Sequence, residues 1–170
     1  MVLKFVFFSL LSLCAAAVAA SPWTYWNWTG SLPIGCYLRS REPSDGYVVF
    51  QLTLEEKKEA AASRVELTGK PLMKTIVPLR PGEILQYSAE GFRVDGKLIP
   101  NSAPLPKNRY GDPMPHFPFG TYSFHRGELW AVSSFDPRSY DSRYFGPING
   151  QQIIGYARPL VTYAWRAPQN

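Results

Sequence analysis

Apolar and polar positions are distributed unevenly along the chain, and the unevenness predicts its elements. Phe5 to Ala20 is an uncharged, mostly apolar run of 16 residues behind Lys4. It is shorter than the roughly 20 residues that a spanning helix needs. Small residues at Ala17-Val18-Ala19-Ala20 offer an A-x-A-like cleavage point before Ser21. Residues 1–20 therefore read as an export signal, with a short retained membrane anchor as the alternative. Trp23, Tyr25, Trp26 and Trp28 follow at once, a composition suited to a membrane–water interface.

Beyond this run the apolar segments shrink to strand length. "GYVVFQLT" (residues 46–53) carries the β-branched and aromatic residues of a strand. "TLEEKKEAAASRV" begins one helix: Thr53 can cap it, and Glu56 three residues later completes a capping box. Gly69 and Pro71 stop it from running much further. "PLMKTIVPLRPGE" predicts a strand ending in a turn at Pro81-Gly82. "GFRVDGKLIP" predicts a hairpin turning at Asp95-Gly96. An 18-residue proline-rich loop, "APLPKNRYGDPMPHFPFG", has no period at all, and loops of that length are often functional. "ELWAVSS" and "LVTYAWR" close the chain as strands. The fold class is mainly β, antiparallel sheets with one short helix, in a single unit over residues 21–170.

Composition agrees with this picture. Aromatics make up 15% of the 170 residues, with 16 prolines and 13 glycines, as strands and irregular loops would require. The formal net charge of +5 has no basic block behind it, so the charge pattern gives no support to a nucleic-acid partner. Cys14 lies in the apolar run, leaving Cys36 as a lone thiol that reads as a small buried apolar residue. His116 and His125 lie nine residues apart without a cysteine pair. That is not a zinc spacing, and no metal or cofactor is expected.

Two residues invite a chemical reading. Ser31 sits on a turn within "WNWTGSLPIGCY", shortly after the apolar run. Lys74 lies on the strand around "LMKTIV", where residues two apart share a face, so Leu72, Lys74 and Ile76 point the same way. An amine pressed among apolar groups loses affinity for its proton, and a neutral amine is a competent base for a serine hydroxyl. The same pattern also fits a lysine snorkelling to solvent. A histidine-based hydrolase, using His116 or His125 with Asp112 or Asp136, lacks a nucleophile motif.

A third segment, "SYDSRYFGPI" (residues 139–148), groups two serines, an aspartate and an arginine before a Gly-Pro turn. With "TGSLPIG" and "LMKTIVPLRPGE" ahead of it in this order, the chain resembles the S26 signal peptidases. Within them it is most similar to the TraF-type maturation proteases of plasmid conjugation. The resemblance runs from about residue 22 to 160 and implies roles. Ser31 would be the nucleophile and Lys74 the general base. Thr29 would join the Ser31 backbone N–H in the oxyanion hole, and Ser139 would orient the lysine amine. Asp141 and Arg143 would be the charged pair holding the late loop.

It also implies a signal-peptidase-like β fold and a periplasmic, membrane-associated Ser/Lys endopeptidase, exported by its N-terminal signal. That enzyme would process and cyclise the conjugative pilin precursor. Its partners would be that precursor, the inner-membrane surface and conjugative type IV secretion components. The sequence departs from leader peptidases at "SSFDPR", where they carry Gly-Asp-Asn, and at Leu32-Pro33, where they insert another residue before the proline. The alternative from a different class is a noncatalytic periplasmic component of the conjugation apparatus.

Overall fold

The computed structural model describes residues 22–163. The signal or anchor expected over residues 1–20 and the end of the last expected strand lie outside them. Strands β1 (Thr24–Asn27), β2 (Ile34–Ser40) and β3 (Tyr47–Phe50) precede helix α1 (Leu54–Ala62). Next come β4 (Leu72–Thr75), β5 (Ile84–Ser88), β6 (Gly91–Val94) and β7 (Lys97–Leu98), then β8 (Gly120–Ser123) and β9 (Glu128–Leu129). Helix α2 (Ser142–Phe145), β10 (Ile148–Asn149) and the long β11 (Ile153–Tyr163) complete the order.

All the strand pairs are antiparallel. One sheet has five strands in the order β1-β2-β11-β3-β4, and another has four in the order β7-β6-β5-β8. The mainly β expectation holds. β3 lies between β11 and β4 in the first sheet and is buried on both faces. Val48 and Phe50 join Leu52, Ala131, Phe145 and Ile148 in one core cluster, while Val49 faces Tyr37 and Ala157 in another. A third cluster, built on Val77, Leu85, Tyr87, Phe92, Trp130 and Val132, packs beneath the second sheet.

Local signals read correctly where side chains act on their own backbone. Thr53 accepts from the Glu56 N–H, and the Glu56 carboxylate accepts from the Thr53 N–H, so α1 begins with the expected capping box. Asp95 and Gly96 both take positive φ, 46° and 79°, as the two-residue hairpin turn requires. Two expectations need correction. A second helix, the single turn α2, follows Asp141, whose side chain accepts from the Arg143 N–H as its N-cap. "ELWAVSS" is a strand only over Glu128–Leu129. Its remainder is irregular because it bonds to the 75–77 segment at the end of β4 and to the late loop at once. The Val77 N–H donates to Trp130 O, and the Val132 N–H donates to Thr75 O. β1, β2, β5 and β8 were not anticipated, and β11 begins at Ile153, well before Leu160.

Gly35 has a direct steric cause. At φ +147°, a Cβ on it would lie 2.2 Å from the Val161 carbonyl oxygen, so only glycine lets β11 close on β2. That closure sets the far end of the Ser31 turn.

Candidate active site

The Ser31 turn is the link between β1 and β2, and side chains from three directions hold it. Asn27, the last residue of β1, is buried. Its Nδ2 donates to the carbonyls of Thr29, Leu32 and Pro33 at 2.9, 3.0 and 3.2 Å. Its Oδ1 accepts from the Thr29 N–H at 3.2 Å and from the Thr29 hydroxyl at 2.8 Å. The Tyr37 hydroxyl donates to Pro33 O at 2.6 Å. The Ser133 hydroxyl donates to the Ser31 carbonyl from the third side. Gly30 admits Asp136 close by, since a Cβ there would sit 3.2 Å from Asp136 Oδ2.

Lys74 lies on β4, at the edge of the same sheet. It pairs with Val48 across β3 and is 5% exposed, so it does not snorkel. Leu72 and Ile76, which share its strand face, pack onto the Val48–Phe50 core. Burial is the main cause that lowers its amine to about pKa 8. Asp141 pulls the value back up, Arg143 pushes it down, and Asp136 pulls it up. Among the described residues its amine forms no ion pair, and no hydrogen bond joins it to the Ser31 hydroxyl. Catalytic hydrogen bonds are commonly long before substrate binds.

The late loop connects the two. Asp141 and Arg143 are both fully buried and form a forked ion pair, Nε to Oδ1 and Nη2 to Oδ2, each at 2.8 Å. The rest of the guanidinium is satisfied by carbonyls. Nη1 donates to Asn101, Ala103 and Pro137, and Nη2 donates to Ser139 at 2.7 Å and to Asp136 at 3.4 Å. Asp141 Oδ2 also accepts from the Ser133 N–H at 2.9 Å. Ser133 therefore carries the Ser31 turn on its hydroxyl and the ion pair on its amide. Val132, next to it, bonds the backbone of Thr75 beside Lys74. Ser139 is buried, and its hydroxyl has no hydrogen-bond partner, a condition it shares with Thr75 Oγ1. Such orphaned buried hydroxyls are uncommon and costly in a folded chain.

The structure thus gathers Thr29 and Ser31 on one turn and Ser139, Asp141 and Arg143 on one loop, with Ser133 and Val132 bridging that turn and loop to the Lys74 strand. The Thr29 hydroxyl, expected to face an oxyanion, is bonded to Asn27 Oδ1. Sequence reading missed Asn27, Ser133 and the proximity of Asp136. An asparagine two residues before Thr29 was the available signal for an Asx-type turn. Nothing local marks Ser133, whose partner is 102 residues away.

The histidine alternative finds no such assembly. His116 stacks on Phe119 at 4.0 Å, and His125 lies 3.5 Å from the exposed Ser123 hydroxyl. Asp112 is engaged by Asn108 and Arg64, and Asp136 by Arg138. Cys36 is buried and unpaired, and burial pushes its thiol upward, away from the reactive thiolate. Among the described residues no three His, Cys, Asp or Glu side chains converge to hold a metal.

Comparison with known proteins adds relatives to this geometry. The family described as signal peptidase, peptidase S26, matches residues 1–162. The plasmid transfer protein TraF of Escherichia coli is 32% identical over 146 residues, covering 81% of this chain and 82% of the relative. The conjugal transfer protein TraF of Agrobacterium fabrum is 36% identical over 93 residues, covering 55% of this chain and 50% of the relative. Among solved structures, a signal peptidase I from Enterococcus faecalis is 16% identical. It covers 65% of this chain and 92% of that one, at a TM-score of 0.33.

Proposed function

The chain belongs to the signal peptidase S26 family, and we propose that it is a serine endopeptidase of the TraF type, with Ser31 as nucleophile and Lys74 as general base. One observation supports this most. Lys74 is a buried lysine, lowered to about pKa 8, on a strand tied through the 131–133 segment to the turn that carries Ser31.

In this reading the neutral Lys74 amine takes the Ser31 proton as the hydroxyl oxygen attacks the scissile carbonyl. The oxyanion accepts from the Ser31 N–H and from the Thr29 hydroxyl, which rotates away from Asn27 Oδ1 to reach it. The lysine ammonium then protonates the leaving amine, and an acyl-enzyme on Ser31 remains. The unpartnered Ser139 hydroxyl orients the lysine amine, and the Asp141–Arg143 pair fixes the loop that carries it.

The named relatives act in plasmid and conjugal transfer, and the substrate proposed here is a conjugative pilin precursor. Water resolving the acyl-enzyme gives a linear product, whereas the pilin's own amino terminus gives a cyclic one. We place the reaction in the periplasm, at the outer face of the inner membrane, beside type IV secretion components. Trp23 and Trp28 are each 70% exposed, and Trp28 stacks on Trp26 at 5.3 Å, an arrangement suited to an interface.

The test is a double-mutant cycle. Ser31→Ala and Lys74→Ala should each abolish precursor processing in a folded protein, and the double variant should be no worse than either, since the two act as a unit. Processing retained by Lys74→Ala would contradict the dyad. A noncatalytic assembly role predicts normal pilus assembly in both variants.

A further inference from the structure

We propose that Asn27 is a positioning residue of this site, clamping the Ser31 turn on both sides so that the Ser31 hydroxyl and the Ser31 backbone N–H are placed before substrate arrives. The proposal rests on the reading of Ser31 as nucleophile. The contacts are selective: the carboxamide touches Thr29 on one side and Leu32 and Pro33 on the other, spanning Ser31 without touching it. It has two N–H groups for three carbonyls, so one hydrogen is shared.

The anchor is rigid. Asn27 is 7% exposed, ends β1, and is paired in register with Gly35 of β2. The clamp therefore hangs from a strand and not from the loop it holds, as precise sites require. Tyr37 adds a second donor to the Pro33 carbonyl, and Ser133 secures the Ser31 carbonyl. The carbonyls of Thr29, Ser31, Leu32 and Pro33 are thus all consumed. Among the described residues, neither the Ser31 N–H nor its hydroxyl is spent on an internal hydrogen bond.

The chemistry also specifies asparagine over aspartate. A carboxylate would still accept from Thr29, but it has no hydrogens for the three carbonyls and would repel them. The isosteric change N27D therefore separates a clamp from a mere anchor for Thr29.

The experiment measures kcat and KM for full-length Asn27→Asp and Asn27→Ala, with purified pilin precursor as substrate, alongside Ser31→Ala and thermal unfolding of each. In folded protein, kcat should fall about 100-fold for both variants, the scale of a roughly 1 Å misplacement, while KM stays within about threefold. The pH dependence should stay in place, since Asn27 does not touch Lys74. A folded Asn27→Asp enzyme with wild-type kcat overturns the proposal.

If neither variant folds, the Asn27 side-chain amide resonances of the wild-type enzyme carry the test. Both amide hydrogens should exchange slowly with solvent in the free enzyme and stay protected when a peptide aldehyde with the pilin cleavage sequence adds to Ser31, and fast-exchanging, averaged resonances in the free enzyme would overturn the clamp. Processing that survives in Ser31→Ala instead removes the nucleophile reading, whatever the Asn27 variants do.

Discussion

The hydroxyl of Ser133 bonds the carbonyl of Ser31 across 102 residues of sequence, and its amide bonds Asp141. One buried serine thereby couples the Ser31 turn to the ion pair that organises the late loop. Its oxygen also accepts from the Phe135 and Asp136 N–H groups, each at 3.2 Å. Ser133→Ala leaves a buried carbonyl and two amides without this partner, which should cost about 1–3 kcal/mol of stability. Processing should fall with it. Denaturant unfolding and a processing assay check both, and an unchanged midpoint would show that the turn is held elsewhere.

The Asp141–Arg143 pair should behave as a buried charge network does. Arg143→Met leaves Asp141 uncompensated among buried groups and frees five carbonyls. The expected loss is about 3–5 kcal/mol. Arg143→Lys keeps the charge but not the fork, and should fall between. Equilibrium unfolding at neutral pH ranks the three proteins. A ranking with Lys below Met would contradict the account.

Lys74 ties activity and stability to pH in the same sense, both rising as its proton is lost. Its folded value is about 8 against an ordinary 10.5. Activity should therefore rise with pH through about 8, as the amine becomes a free base. Between about 8 and 10.5 the unfolded chain binds the proton and the folded one does not, so this site adds stability as pH rises across that window. Below about 8 the folded protein bears the full cost of a buried ammonium. Lys74→Met should then be inactive yet more stable at pH 7, on the order of 3 kcal/mol, with the gain shrinking toward pH 10.5. Burial holds the hydroxyls of Tyr37, Tyr87 and Tyr140 protonated well above their usual range in either protein, so they cancel in the difference. A less stable Lys74→Met at pH 7 would mean the lysine is not desolvated.

What the sequence disclosed follows from how local each cause is. The α1 capping box and the Asp95-Gly96 turn involve side chains acting within a few residues of backbone, and both were readable. Lys74 was half readable: the two-residue period gave its face, but whether that face was covered depended on Val48 and the distant 131 segment. β1 is only four residues long and pairs with β2, while β2 follows Pro33, contains Gly35 and gains its order from β11, so neither carries a local signal. "ELWAVSS" looks like a strand by composition, yet Val132 bonds to Thr75 at the end of β4 and Trp130 to Val77 just beyond it, while Ser133 turns to the late loop. The Asn27 clamp lies on the strand before the Ser31 motif, and its bonds to Leu32 and Pro33 form only once the turn has closed.

In the proposed reaction Ser31 forms an acyl-enzyme with a pilin precursor, and intact mass spectrometry of pilin from cells carrying wild-type or Ser31→Ala protein reads its outcome. Mature pilin should be one water lighter than the linear chain with the same ends in the wild type, with unprocessed precursor in Ser31→Ala. A linear mature product confines the chemistry to hydrolysis. Identical pilin masses in the two strains would contradict the proposed reaction.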